Sequence, residues 1–306
     1  MRAVRPLLAR LLFAFLVFVL TGEAALRIVY RDQGRRTLFG PGFQPFEHIA
    51  RDASHRGRFD TGPKAAGVPR ILVVGDSISY GQGVRNWRDV WPEIMVARLR
   101  ARGRPHELAV VAEPGHNLDD HLREFDRWAA EVRPDIFIYQ FFVNDIDIFE
   151  DQEPDLTRWW QRLPWHQRLR ASYLYYVLED QLWRRLPPPA YSYVDHLQTR
   201  FVPGTLEGEA FEHVFRELAG RARAQAPERW LLIYPLVPFA GAYPLQAIHD
   251  RMRALAEAEG FRVVDPTAAL TGFNTHVSLF DGHPNEPAQR VLGEAMAGAL
   301  AAAHPD

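Results

Sequence analysis

Five short runs of consecutive apolar residues punctuate the chain, at 70–74, 108–112, 136–142, 230–236 and 261–264. Each has the length of a strand and lacks polar alternation, the pattern of a strand buried on both faces. Between and after them, 87–102, 118–132, 209–224, 245–259 and 288–303 read as amphipathic segments, which predicts helices with one face on a core. Strand and helix alternate. That order predicts a three-layer α/β/α sandwich: an open, roughly five-stranded parallel sheet with helices on both faces and right-handed crossovers. Reactive groups in such sheets gather beyond the carboxyl ends of the strands, so those ends are where chemistry is sought.

Three stretches fall outside the alternation. At the amino terminus Arg2, Arg5 and Arg10 precede an unbroken apolar run from Leu11 to Leu20, followed by Thr21, Gly22 and Glu23. A basic flank before an apolar run is a targeting signal. Glu23 interrupts the small residues that a cleavage site would need, so residues 1–30 are expected to form an uncleaved signal anchor, a single transmembrane helix; a secreted form after cleavage is the alternative. Arginines on the amino-terminal side are expected to stay cytoplasmic while the rest is exported. Residues 31–69 are rich in Gly, Pro, Arg and Asp without periodicity, as expected of a tether and irregular lead-in. Residues 70–306 then form the main domain, interrupted at about 146–203 by an aromatic-rich insertion with Trp159, Trp160, Trp165, Tyr173, Tyr175, Tyr176, Trp183, Tyr191, Tyr193 and three prolines from Pro187 to Pro189. Aromatic clusters are more often packing than ligand lids, and packing is the expectation here.

Composition narrows the chemistry. With 36 basic and 38 acidic residues there is no charge excess to favour nucleic acid as a partner. Cysteine is absent, which removes thiolate nucleophiles, disulfides and cysteine-based zinc sites together. No histidine or carboxylate spacing suggests a metal site, and the first strand's turn lacks the glycine signatures of nucleotide binding. No cofactor is expected.

The strand ends supply the candidates. The first run ends in Gly75-Asp76-Ser77, followed by Ile78-Ser79-Tyr80-Gly81, where a glycine-assisted sharp turn would project the Ser77 hydroxyl into the crevice. Past the last strand come Asp281-Gly282-His283-Pro284-Asn285. A tight loop there would let Asp281 hold the imidazole tautomer and leave Nε2 of His283 free to take a proton from Ser77. Gly115 after the second strand and Asn144 after the third are candidate donors to an oxyanion, together with the N–H of Ser77. His276 is the rival base. Asp76, Asp145 and Asp147 read as turn hydrogen-bonders, and His116 and Asp119 as structural or solvated groups near the crevice.

Nucleophile, glycine donor, asparagine donor and acid–base pair occur in that order, each just past a predicted strand. This arrangement resembles the SGNH (GDSL-type) hydrolase superfamily over roughly residues 70–300: Ser77 in GDSISYG, Gly115, Asn144 and His283 match its four blocks. The resemblance implies a flavodoxin-like SGNH fold and a serine esterase acting through a Ser77–His283–Asp281 triad. Two departures stand out. Phe142 replaces the glycine of the family's Gly-x-Asn-Asp, and Asp-x-His replaces Asp-x-x-His. An O-acyltransferase acting on an envelope polysaccharide, and a non-catalytic binding module of the same fold, are the alternatives. The expected partners are the membrane and a small-molecule, glycan or lipid ester.

Overall fold

A computed structural model describes residues 4–30, 57–59, 64–148, 163–169, 171–185, 193–237, 242–272, 274–278 and 281–304. The main sheet comprises β1 (Gly57–Phe59), β2 (Arg70–Gly75), β3 (Glu107–Ala112), β4 (Ile136–Phe141), β5 (Glu228–Ile233) and β6 (Arg262–Val264). Their order across the sheet is β1-β3-β2-β4-β5-β6. β2 to β6 are mutually parallel, and β1 runs antiparallel to β3 at the edge. The five expected parallel strands are present. β1 lies where an irregular lead-in was expected; three residues, one of them charged, are too few to show a period.

Both faces of the sheet are covered, which is why its strands lack polar alternation. Leu72, Val74, Phe137, Tyr139, Phe141, Leu231 and Ile233 pack on one face with helices Leu118–Val132, Leu206–Gln225 and Gln246–Ala258. Ile71, Val73, Ile136, Ile138, Trp230 and Leu232 point to the other, against helices Trp91–Ala101 and Glu286–Ala303. Consecutive residues of a strand thus feed two separate cores. Each fully buried side chain of this size contributes about 1.5–3 kcal/mol.

Polar groups fix the start of the sheet. Asp135 accepts the backbone N–H of Arg70 at 2.7 Å, tying the entry of β4 to that of β2. The Arg70 side chain is 1% exposed, yet it is neutralised by Glu107 at 2.6 Å and donates to the Val132 carbonyl at 3.0 Å. A cleft of about 1090 Å³ opens beside these strand starts, between Arg104, His106, Glu228 and Arg229. Two of its arginines are turned to helix-end carbonyls, Arg104 to Ala301 and Arg229 to Ala226, where cations complement the helix dipole.

The chain divides into two compact units, one of Met1–Pro45, Leu156–Ala190 and Ser278–Asp281, the other of Phe46–Asp155, Tyr191–Val277 and Gly282–Asp306. In the first, a helix spans Val4–Val29, and its stretch Leu7–Val29 is long and apolar enough to cross a membrane. The helix extends beyond the apolar decamer on both sides, and Glu23 and Arg27 pair across one of its later turns at 2.6 Å. Parts of the expected tether and insertion, including Trp159, Trp160 and Pro187–Pro189, lie outside the described residues. The regular structure described within the insertion is mainly helical: Pro164–Leu169, Tyr173–Arg185 and Tyr193–Arg200.

Two glycines of helix Glu286–Ala303 make the packing testable. A Cβ on Gly293 would lie 2.7 Å from Ile94 Cβ and 2.8 Å from the Trp91 carbonyl oxygen, whereas one on Gly298 meets nothing within 4 Å. Gly293→Ala is therefore expected to destabilise the fold by about 1–3 kcal/mol, and Gly298→Ala to stabilise it by about 0.5–1 kcal/mol. Denaturant melts of the two variants check the opposite signs.

Candidate active site

β2 ends in a turn built for one hydroxyl. Asp76 caps the short helix Ser77–Tyr80, its Oδ1 accepting the N–H of Ile78 at 2.9 Å. Gly81 closes that helix at φ 78°, a left-handed conformation suited to glycine. Gly75 has another reason to be glycine than the sharp turn expected of it. A Cβ there would sit 2.5 Å from Ser79 Oγ and 2.6 Å from Gln140 Oε1, so it makes room for the polar brace beneath the turn.

That brace was not foreseen. Gln140 Oε1 accepts from Ser79 Oγ at 2.9 Å and from the Asp76 N–H at 3.3 Å. Trp91 Nε1 donates to Ser79 Oγ at 3.2 Å. Gln289 accepts from the Trp91 N–H at 2.9 Å and donates to the Ile78 carbonyl at 3.1 Å. The available signal was a lone glutamine inside the apolar run Ile136–Phe141, since a buried polar side chain needs partners.

Ser77 is 6% exposed, and its Oγ lies 2.9 Å from Nε2 of His283. Serine and histidine meet although 206 residues separate them. His283 does not sit on a loop as expected. β8 (Asp281–Pro284) pairs with β7 (His276–Ser278) in a small hairpin, and residues two apart on a strand project from the same face. Asp281 and His283 are such a pair. Behind the hairpin, Asn285 donates its side-chain N–H to the carbonyls of Asn274 at 2.7 Å and His276 at 3.1 Å. It also caps helix Glu286–Ala303 by accepting from the Ala288 N–H at 3.0 Å. His276, the rival base, holds the Val237 carbonyl at 3.1 Å through Nε2, which makes that nitrogen a donor.

β3 and β4 flank β2, so the turns that follow them border Ser77. Gly115 lies in the first at φ 85°, and the Glu113 N–H bonds to the Gly75 carbonyl at 3.4 Å. Asn144 lies in the second, a tight turn over Val143–Ile146. Asp145 fixes that turn: it accepts from Tyr139 OH at 2.6 Å and the Phe142 N–H at 3.2 Å, and faces His121 Nε2 at 3.3 Å. The other singled-out groups are paired away. His116 meets Glu113 at 2.8 Å, Asp119 meets Arg123 at 2.5 Å, and Asp147 meets Arg200 at 2.5 Å. Among the described residues no group of three or more His, Asp or Glu could hold a metal ion.

Burial loads this region electrostatically. Removal from water, with the Asp145 carboxylate nearby, raises Asp76 from 3.8 to about 6, against the pull of Ile78, His121 and His283. Its Oδ2 is buried with no hydrogen-bond partner among the described residues. Burial alone would lower His121, but Asp145 and Asp76 outweigh it and hold the imidazole above its ordinary value.

A profile of the GDSL-like lipase/acylhydrolase family matches residues 73–291. No curated protein matches the chain. Among solved structures, TesA is 18% identical, covering 76% of this chain and 97% of its own, at TM-score 0.50. The esterase EstA from Pseudoalteromonas sp. is 14% identical over 76% of this chain and 96% of its own, at TM-score 0.48. The acetylxylan esterase Axe2 from Geobacillus stearothermophilus is 13% identical over 77% and 97%, at TM-score 0.46.

The raised Asp76 gives a signed pH dependence. A carboxyl that holds its proton more tightly when folded stabilises the fold fully below its unfolded value, and that contribution is lost as pH rises through about 6. The loss is at most about 3 kcal/mol. The stability of Asp76→Asn relative to wild type is therefore expected to increase between pH 4 and pH 8. A constant difference in denaturant melts at the two pH values would contradict the buried, raised carboxyl.

Proposed function

Because this chain belongs to the GDSL-like lipase/acylhydrolase family and is an ester-hydrolysing enzyme, we propose that Ser77, His283 and Asp281 are its catalytic triad. The observation that carries the reading is the 2.9 Å approach of His283 Nε2 to Ser77 Oγ, within reach for direct proton transfer. His283 takes the hydroxyl proton as Ser77 Oγ bonds to the ester carbonyl carbon, and the carbonyl π pair moves onto oxygen. Collapse breaks the bond to the alcohol oxygen, which leaves with the proton from His283. Water, deprotonated by the same imidazole, then releases the acyl group and restores Ser77. Nε2 can accept only if Nδ1 carries the ring proton, and Asp281, on the same face of β8, is the carboxylate assigned to hold it there.

The oxyanion is assigned to the N–H of Ser77, the N–H of Gly115 and the side-chain amide of Asn144. As the first residue of its helix, Ser77 has an N–H with no partner within that helix. Gly115 offers a backbone with open space where a Cβ would stand. Asn144 sits on a turn clamped by Asp145, so its amide would need little reorganisation as charge develops. The substrate is assigned to small-molecule, glycan or lipid esters. Helix Val4–Val29 is assigned as a membrane anchor with the arginines inside and the catalytic unit exported.

Turnover of short p-nitrophenyl esters by the full chain tests the assignment. Ser77→Ala and His283→Ala are each expected to lose at least about 10³-fold in kcat/KM, and Asn144→Ala about 10²- to 10³-fold. His276→Ala, whose ring nitrogen is engaged with a carbonyl, is expected to keep most activity. Wild-type turnover by Ser77→Ala would remove Ser77 as nucleophile, and loss confined to His276→Ala would move the base. A carboxyl-terminal reporter active only in the cytoplasm would overturn the export assignment.

A further inference from the structure

Glu23 sits six residues before the end of helix Val4–Val29, close to where an apolar helix would leave a bilayer. A carboxylate in that position is costly unless paired. Glu23 is paired several times over. Its Oε2 accepts from Ser172 Oγ at 2.7 Å and from the Leu174 N–H at 2.9 Å, and its Oε1 accepts from the Tyr173 N–H at 3.2 Å. Those backbone donors belong to the first turn of helix Tyr173–Arg185, which lacks intrahelical partners. Ser172 meanwhile accepts from the Tyr175 N–H at 3.2 Å, as a helix cap does. Arg27 completes the junction: it bonds Glu23, donates to the Ala171 carbonyl at 3.0 Å, and lies 5.0 Å above the Tyr173 ring. Gly22 adds close approach, since a Cβ there would be 3.5 Å from the Leu174 methyls.

The helices fastened this way expose apolar side chains. His166, 2% exposed, meets Glu179 at 2.6 Å and so links helix Pro164–Leu169 to helix Tyr173–Arg185. From these two helices Trp165, Leu169 and Leu178 stand 48%, 43% and 55% exposed. They belong to the same compact unit as the anchor, whose own Leu12, Phe13, Phe15 and Leu20 are more exposed still. A Trp and bare leucines in the same compact unit as an apolar helix long enough to cross a membrane have the composition of a membrane–water interface, and exposed apolar groups call for a partner.

We propose that Pro164–Leu169 and Tyr173–Arg185 form a lipid-facing collar, stapled to the anchor by Glu23 and Arg27, with Trp165, Leu169 and Leu178 seated in the interfacial layer of the bilayer. The proposal rests on the assignment of helix Val4–Val29 as a membrane anchor. It also gives Glu23 a place in the mature protein, as the cap of a helix 150 residues away.

Absence of cysteine from the whole chain allows single spin labels to be placed cleanly. Full-length protein in phosphatidylcholine/phosphatidylglycerol vesicles is labelled at Phe15→Cys, Leu169→Cys, Leu178→Cys or, as an aqueous reference, Arg290→Cys. Relative accessibility to oxygen and to a nickel chelate is then measured. The labels at 169 and 178 are expected to favour oxygen severalfold over the reference while remaining below the label at 15. Glu23→Ala is expected to bring both down to the reference, and Glu23→Gln, which keeps one acceptor oxygen, to fall between. A cooperative melt of each variant verifies that it is folded. Aqueous values at 169 and 178 with a lipid value at 15 would overturn the collar and leave the anchor standing. An aqueous value at 15 would remove the anchor and the collar with it. Lipid values unmoved by Glu23→Ala would overturn the staple.

Discussion

Strand β2 is hydrogen-bonded along both edges, to β3 and to β4, and covered on both faces by helices, so it has no freedom to shift along the sheet without breaking two ladders and two cores. Everything at its carboxyl end inherits that rigidity. Its neighbours leave it on opposite sides in the strand order, and the crossovers therefore diverge above it, opening the crevice that parallel sheets offer at such a reversal. Ser77 stands at this point because Gly75 ends the strand there. Gly115 and Asn144 border it because β3 and β4, and no other strands, are the neighbours. Strand order alone sets the turns carrying Ser77, Gly115 and Asn144 side by side, before any of their side chains interact.

The same topology explains what could be read from the chain alone. Strands buried on both faces betray themselves as mainly apolar runs without polar alternation, so the five parallel strands were legible to within one to three residues at their ends, and helix Leu118–Val132 at both of its ends. The candidate positions Ser77, Gly115 and Asn144 were legible because they follow those runs. Short or locally undistinguished pieces were not: Gly57–Phe59 pairs with β3 through backbone groups that carry no side-chain signature, and Asp281–Pro284, with its Gly and Pro, reads as a turn although it pairs as a strand. Gly75 was legible as a required glycine for the wrong reason, since nothing in a linear sequence says that Ser79 and Gln140 will occupy the space of its missing Cβ. Long-range polar partners such as Gln289 and Trp91 were invisible for the same reason: a hydrogen bond across 198 positions leaves no period and no spacing.

One strand braces both halves of the site, and it does so through the alternation of its side chains. Tyr139 and Gln140 are adjacent in β4 and point to opposite faces of the sheet. Tyr139 reaches Asp145, which clamps the turn carrying Asn144. Gln140 reaches Ser79 and the backbone of Asp76, which set the turn carrying Ser77. A slip of one residue in the pairing of β4 with β2 would exchange the two faces and undo both braces together, while also turning Ile138 and Phe137 into the wrong cores. Hydrophobic register and polar positioning are thus enforced by one ladder. The cost of this economy is charge held away from water: Asp76, Asp145 and His121 are each fully buried, and the proximity of the two carboxylates raises Asp76 beyond what burial alone does. A fold that keeps them there carries a local instability which the two apolar cores offset.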